Sequence, residues 1–215
     1  MFISLSILNA DLDHLDKFFE YPPIAYSPVN HLDIMDGIFV KETSFGPEVV
    51  EKSYEACPRA IVDVHLMVQN PDDDFIKYKE AHADYITFHL EIGDTLRRIE
   101  LLKKLGVKVG LSINPDTKAE DLVPYLDKID PVLVMSVWPG RGGQKFIESS
   151  IPKLEFLSNY KKSHNLHYII SVDGGINEET IPLVKPYVDL CVVGSAITKA
   201  TNPYQKYLEL YKMTP

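Results

Sequence analysis

Three short runs place metal- and proton-handling side chains inside apolar sequence. His31-Leu32-Asp33-Ile34-Met35-Asp36-Gly37 and Asp63-Val64-His65-Leu66-Met67 alternate polar and aliphatic residues, and Ser171-Val172-Asp173 does so ahead of Gly174-Gly175. Side chains point to alternate sides of an extended strand, so His31, Asp33 and Met35 share one face, as do Asp63, His65 and Met67. If these faces point inward to one rim, two imidazoles and two carboxylates converge. His31, Asp33, His65 and Asp173 then have the composition of a divalent transition-metal site. Mixed nitrogen and oxygen donors suit zinc, iron, manganese or cobalt without choosing among them. A lone histidine in such a place is more often hydrogen-bonded structure. Four polar groups together at strand ends each need a partner, because burial without one costs free energy.

A second group of residues has the chemistry of anion binding. Gly140-Arg141-Gly142-Gly143-Gln144, Gly174-Gly175 and Gly194-Ser195 each follow an apolar run. Backbone N–H groups in such turns and at helix starts hold phosphate. One glycine pair would be ordinary turn chemistry; two, at the expected strands, favour phosphate.

The elements that must position these residues alternate along the whole chain. Strand patterns fall at Ile3–Leu8, His31–Met35, Ala60–Met67, Tyr85–Leu90, Val107–Ile113, Val132–Val137, Tyr168–Asp173 and Leu190–Val193. Helical periodicity falls at Asp72–His82, Asp94–Leu105, Lys118–Lys128, Ile151–Lys162, Glu178–Lys185 and Tyr204–Met213, with start signals at Asn70-Pro71, Asn114-Pro115, Asn177-Glu178-Glu179 and Asn202-Pro203. The helix after the second strand has no clear sequence signal. Eight strands alternating with helices predict an α/β fold with a parallel sheet, closed as a single (β/α)8 TIM barrel over residues 1–215. Active sites of such barrels form at the C-terminal ends of the strands, where the three runs end.

Composition narrows the function further. The chain has 215 residues and a formal net charge of −9, which argues against nucleic-acid or membrane-surface partners. Cys57 and Cys191 form no metal-type pair or disulfide framework. Asn9, Asp11 and Asp13 interrupt the first apolar run, so no secretory signal is read, and no run approaches a membrane span. The expectation is a cytoplasmic protein.

Taken in order, Ser6-Ile7-Leu8, the His31 to Gly37 run, Asp63 to Val68, Val134-Met135-Ser136-Val137, Pro139-Gly140, Gly142-Gly143-Gln144, Val172-Asp173-Gly174-Gly175-Ile176 and Gly194-Ser195-Ala196-Ile197 resemble the signatures of the ribulose-phosphate 3-epimerase family. The resemblance spans nearly the whole chain. It implies a metal-dependent epimerase that inverts C3 of a ketose phosphate, D-ribulose 5-phosphate to D-xylulose 5-phosphate, through an enediolate. It further implies one divalent ion on His31, Asp33, His65 and Asp173, with Asp33 and Asp173 as the acid–base pair. Ser6 and His65 would touch substrate, and Gly140, Arg141, Gly142 and Gly143 would belong to a mobile loop over it. Gly174, Gly175, Gly194 and Ser195 would hold the phosphate, and Met35, Met67 and Met135 would line the reacting carbon. A homo-oligomer is also implied.

The chain departs from the family pattern at Asn9, Lys41-Glu42, Trp138 and Arg141. These leave the proposed ligands intact and bear on substrate choice, so a related ketose phosphate such as allulose 6-phosphate is an alternative substrate. Two other readings compete. Metal-free phosphosugar decarboxylases and aldolases use an Asp-x-Lys-x-x-Asp run on a strand. Asp116-Thr117-Lys118-Ala119-Glu120-Asp121 has that spacing but follows Asn114-Pro115 and reads as a helix start. An inactive phosphosugar-binding protein would have no need of both carboxylates.

Overall fold

Eight strands pair in sequence order and close on themselves, β1-β2-β3-β4-β5-β6-β7-β8, in a computed structural model that describes residues 1–19 and 27–214. The strands are β1 Phe2–Ser6, β2 Val29–Met35, β3 Ile61–Met67, β4 Tyr85–His89, β5 Lys108–Ile113, β6 Pro131–Met135, β7 Ile169–Asp173 and β8 Leu190–Val193. Every pairing is parallel, including β1 with β8. The fold is the (β/α)8 TIM barrel that the alternation of elements predicts.

Helices α1 Leu15–Phe19, α2 Pro47–Ala56, α3 Asp74–Glu80, α4 Thr95–Lys104, α5 Ile151–Ser163, α6 Ile181–Val184, α7 Ser195–Thr198 and α8 Pro203–Tyr211 fill the connections. The helix missing from the sequence reading is α2, which opens on Gly46 and Pro47 with no side-chain cap. Only its N1 proline marks the start. The segment expected as a helix from Lys118 is instead a 3-10 helix over Ala119–Tyr125, with Pro124 inside it. Proline lacks an N–H and blocks the i−4 bond, so an α-helix does not propagate there. Asn202 caps α8 by accepting the Gln205 N–H at 3.0 Å.

Burial explains the strand composition. Val62, Val64 and Leu66 of β3 and Leu32 and Ile34 of β2 pack outward with the helices in the main core. The alternate residues turn into the barrel, where His31 and His65 are fully buried. Register then sets their neighbours: His31 lies opposite Asp63, Asp33 opposite His65, and Met35 opposite Met67. A slip of one residue would exchange the inner and outer sets.

The interior leaves room for only a small residue at one place. A Cβ on Gly110 of β5 would meet Thr87 Oγ1 at 2.1 Å and Pro131 Cγ at 2.9 Å. Thr87 is itself buried, with little space to retreat. Gly110→Ala is expected to lower unfolding free energy by about 1–3 kcal/mol. A urea titration would read this as a lower midpoint with an unchanged slope.

Candidate active site

The imidazoles and carboxylates gather round Asp33. Its Oδ2 accepts the Ser6 hydroxyl at 3.1 Å, while Oδ1 lies 2.9 Å from His65 Nδ1 and 3.2 Å from His31 Nε2. His31 Nδ1 is 2.8 Å from Asp63 Oδ2, the contact that the β2–β3 register requires. Asp173 enters from the end of β7. His31, Asp33, His65 and Asp173 each bring one donor atom to a cluster in which all lie within 4.8 Å of one another. Asp63 stands behind His31 and outside that cluster.

The donor chemistry fits a cation. His31 Nε2 is buried without a hydrogen bond, although Asp33 Oδ1 is only 3.2 Å away. An atom in that position needs a charge partner to offset its lost hydration. Burial alone would lower the His31 pKa, but the Asp33 and Asp63 carboxylates outweigh it and hold the imidazole well above its usual value. Burial likewise opposes ionisation of Asp33, yet the charge and contact of His31 outweigh it and keep this carboxyl far below the usual range. Burial takes His65 down to about 4. Asp173 moves the opposite way, pushed up to about 7 by burial and by the Asp33 charge. The two carboxylates therefore differ in proton affinity, and the buried centre demands positive charge.

His65 is held from behind by residues the sequence reading gave no role. Its Nε2 is 2.9 Å from His89 Nε2, and His89 Nδ1 is 3.2 Å from Glu91 Oε2. Glu91 Oε1 accepts the Asn114 N–H at 2.7 Å and the Thr117 hydroxyl at 2.5 Å. The signal for His89 was its alternation with Thr87 at the end of β4.

Above the cluster lies a recess whose wall includes Ser6, Asp33 and Asp173, the methionines Met35, Met67 and Met135, and the glycine turns. Gly140, Arg141, Gly142, Gly143, Gly174, Gly175, Gly194 and Ser195 all border it. His65 sits beneath the recess, fully buried. Gly174 and Gly175 adopt φ of 117° and 65°, a region that disfavours side chains. The Asp116 to Asp121 run lies beyond β5, in the turn and 3-10 helix, and not on a strand.

The fold and the site define a (β/α)8 barrel with a buried cluster that could hold a metal ion, and comparison with known proteins makes this more specific. Residues 2–198 match the ribulose-phosphate 3 epimerase family, and the chain belongs to it. It is 38% identical over 200 residues to the ribulose-phosphate 3-epimerase of Bacillus subtilis, covering 91% of each chain. Against the protein of that name from Buchnera aphidicola (subsp. Baizongia pistaciae) it is 37% identical over 204 residues, covering 93% of this chain and 90% of the relative. Among solved structures, 3-hexulose-6-phosphate synthase from Salmonella typhimurium superposes with a TM-score of 0.75 at 18% identity, over 100% of this chain and 98% of that one, a likeness of fold. Among the described residues no helix is long and apolar enough to cross a membrane.

Several departures from the family pattern meet at the loop over the site. A Cβ on Gly142 would lie 2.3 Å from Asn9 Nδ2, and one on Gly140 would lie 2.8 Å from Glu42 Oε2. Asn9 and Glu42 thus pack directly on the loop that carries Trp138 and Arg141. Gly142→Ala is expected to push the Asn9 side chain off the loop and speed amide exchange across residues 138–144. Asn9→Ala in the same chain restores the space, so the double variant should exchange more slowly than Gly142→Ala alone.

Proposed function

We propose that the chain interconverts D-ribulose 5-phosphate and D-xylulose 5-phosphate by inverting C3, with Asp33 and Asp173 exchanging roles as base and acid. The observation that carries this reading is the placement of two carboxylates from β2 and β7 against one buried cluster. A proton removed from one face of a carbon beside a ketone must be replaced on the other face, so inversion needs two groups. Strands two and seven approach the barrel mouth from different sides, which lets Asp33 and Asp173 flank a substrate. Their opposite electrostatics suit one carboxylate to accept a proton while the other donates.

His31, Asp33, His65 and Asp173 would hold one divalent ion, of zinc, iron, manganese or cobalt type. When bound, it supplies Lewis-acid stabilisation for the charge that develops on the substrate oxygens. Ser6 steadies Asp33 through its hydroxyl and borders the substrate recess. Met35, Met67 and Met135 exclude water from the enediolate. The turns at Gly174-Gly175 and Gly194-Ser195, the second opening α7, are suited to the substrate phosphate. Trp138 and Arg141 border the same recess, so a panel including allulose 6-phosphate belongs in the assay.

The test is Asp173→Asn, assayed with its metal content measured. Interconversion should fall by at least about a hundredfold, the usual loss for an acid or base. Exchange of the C3 proton of one epimer with solvent should continue through Asp33. Epimerisation at the parent rate with the ion bound would refute the two-carboxylate mechanism. A chelator-stripped parent should lose turnover and regain it on addition of a divalent ion.

A further inference from the structure

We infer that His89 and Glu91 are positioning residues that fix the proton of His65 on Nε2 and so aim its Nδ1 into the metal cluster. The inference rests on the reading that His31, Asp33, His65 and Asp173 hold an ion. It assigns a task to two side chains that neither line the substrate recess nor belong to that set.

Proton positions follow from the donors and acceptors available. Glu91 Oε1 accepts the Asn114 N–H and the Thr117 hydroxyl, contacts that favour an ionised carboxylate, which only accepts. His89 Nδ1, 3.2 Å from Glu91 Oε2, must then carry a proton. With the Nδ1 proton directed at Glu91, His89 offers its Nε2 lone pair as an acceptor towards His65. The 2.9 Å contact between the two Nε2 atoms needs one donor, which is His65. The bare nitrogen of His65 is therefore Nδ1, the atom 2.9 Å from Asp33 Oδ1. Two lone pairs at that distance repel, and a cation held by both atoms would relieve the repulsion. Outer hydrogen bonds of this kind fix ligand orientation in metal sites generally.

The chain of contacts ends on a firm anchor. Glu91 Oε1 holds the loop after β5 through Asn114 and Thr117. Lys153 of α5 grips that loop from the other side, donating to the carbonyls of Asn114 at 2.9 Å and Pro115 at 2.6 Å. His89 is fully buried, and its ring lies 4.6 Å from that of Phe39 and 5.0 Å from that of His65. It has little freedom to turn away.

The experiment compares the parent with His89→Leu, His89→Gln and Glu91→Gln. Zinc dissociation constants come from chelator competition, and the state of His65 from 15N NMR of the zinc-loaded chains. His89→Leu removes both hydrogen bonds and should weaken zinc binding by about 10- to 100-fold. Glu91→Gln offers His89 a donor as well as an acceptor and should weaken binding less. His89→Gln keeps a carbonyl for His65 and an amide N–H for Glu91, so it should retain most of the parent affinity. In the parent and His89→Gln, the His65 Nε2 proton should be visible and slow to exchange; in His89→Leu it should exchange rapidly. Equal affinity and equal protection in His89→Leu would overturn the proposal. Equal loss in His89→Leu and His89→Gln would also overturn it, since bulk alone would then explain the effect. If His89→Leu does not fold, Glu91→Gln and His89→Gln decide by the same two measurements. A parent that binds no zinc, manganese or cobalt overturns the metal reading and this proposal with it.

Discussion

A buried carboxylate that must stay charged governs this structure. Asp33 Oδ1 lies within 3.2 Å of nitrogens from two imidazoles, in a place where water gives little help. Charge in such a setting survives only beside opposite charge and within hydrogen bonds. The surroundings of Asp33 can be understood as answers to that demand. Ser6 donates to its other oxygen, Asp63 braces His31, and His89 braces His65.

The barrel makes those answers possible because a closed parallel sheet fixes which side chains are neighbours. Opposite residues on β2 and β3 bring Asp33 to His65 and His31 to Asp63, with no loop involved. Asp173 reaches the same point because β7 ends there, just as the backbone turns through Gly174 and Gly175. Strands set the parts that require precision. Loops, with their glycines and exposed Trp138, form the wall of the recess.

Much of this was legible in the sequence for the same physical reason. Alternation in a strand is local, so spacing put His31 with Asp33 and His65 with Asp63 on shared faces, and the eight apolar runs announced the strands; that these faces turn inward follows from the closed barrel. Boundaries were less legible. The segment from Lys118 has helical periodicity, but Pro124 turns it into a 3-10 helix, and α2 has no side-chain cap to mark it. The second layer of the site was the least visible. His89 and Glu91 acquire meaning only through contacts across the barrel, to a residue 24 positions from His89 and to a loop 23 from Glu91. Asp63 was placed on the correct face, but only the register shows that it supports His31 and stays outside the cluster.

The two imidazoles are braced by different routes, and the difference has a structural cause. His31 meets a carboxylate directly, since Asp63 is its partner across the β2–β3 pair. The residue opposite His65 on β4 is Thr87, whose hydroxyl crowds the space beside Gly110. A carboxylate cannot be supplied to His65 from that position. It comes one pleat further on, through His89 and then Glu91, where β4 has ended and the chain has turned. The longer route ties His65 to the loop after β5 and to Lys153, whereas His31 depends on strand pairing alone. A disturbance of the β5 loop should therefore reach the cluster through His65, and a disturbance of barrel register through His31, although both imidazoles face the same carboxylate oxygen.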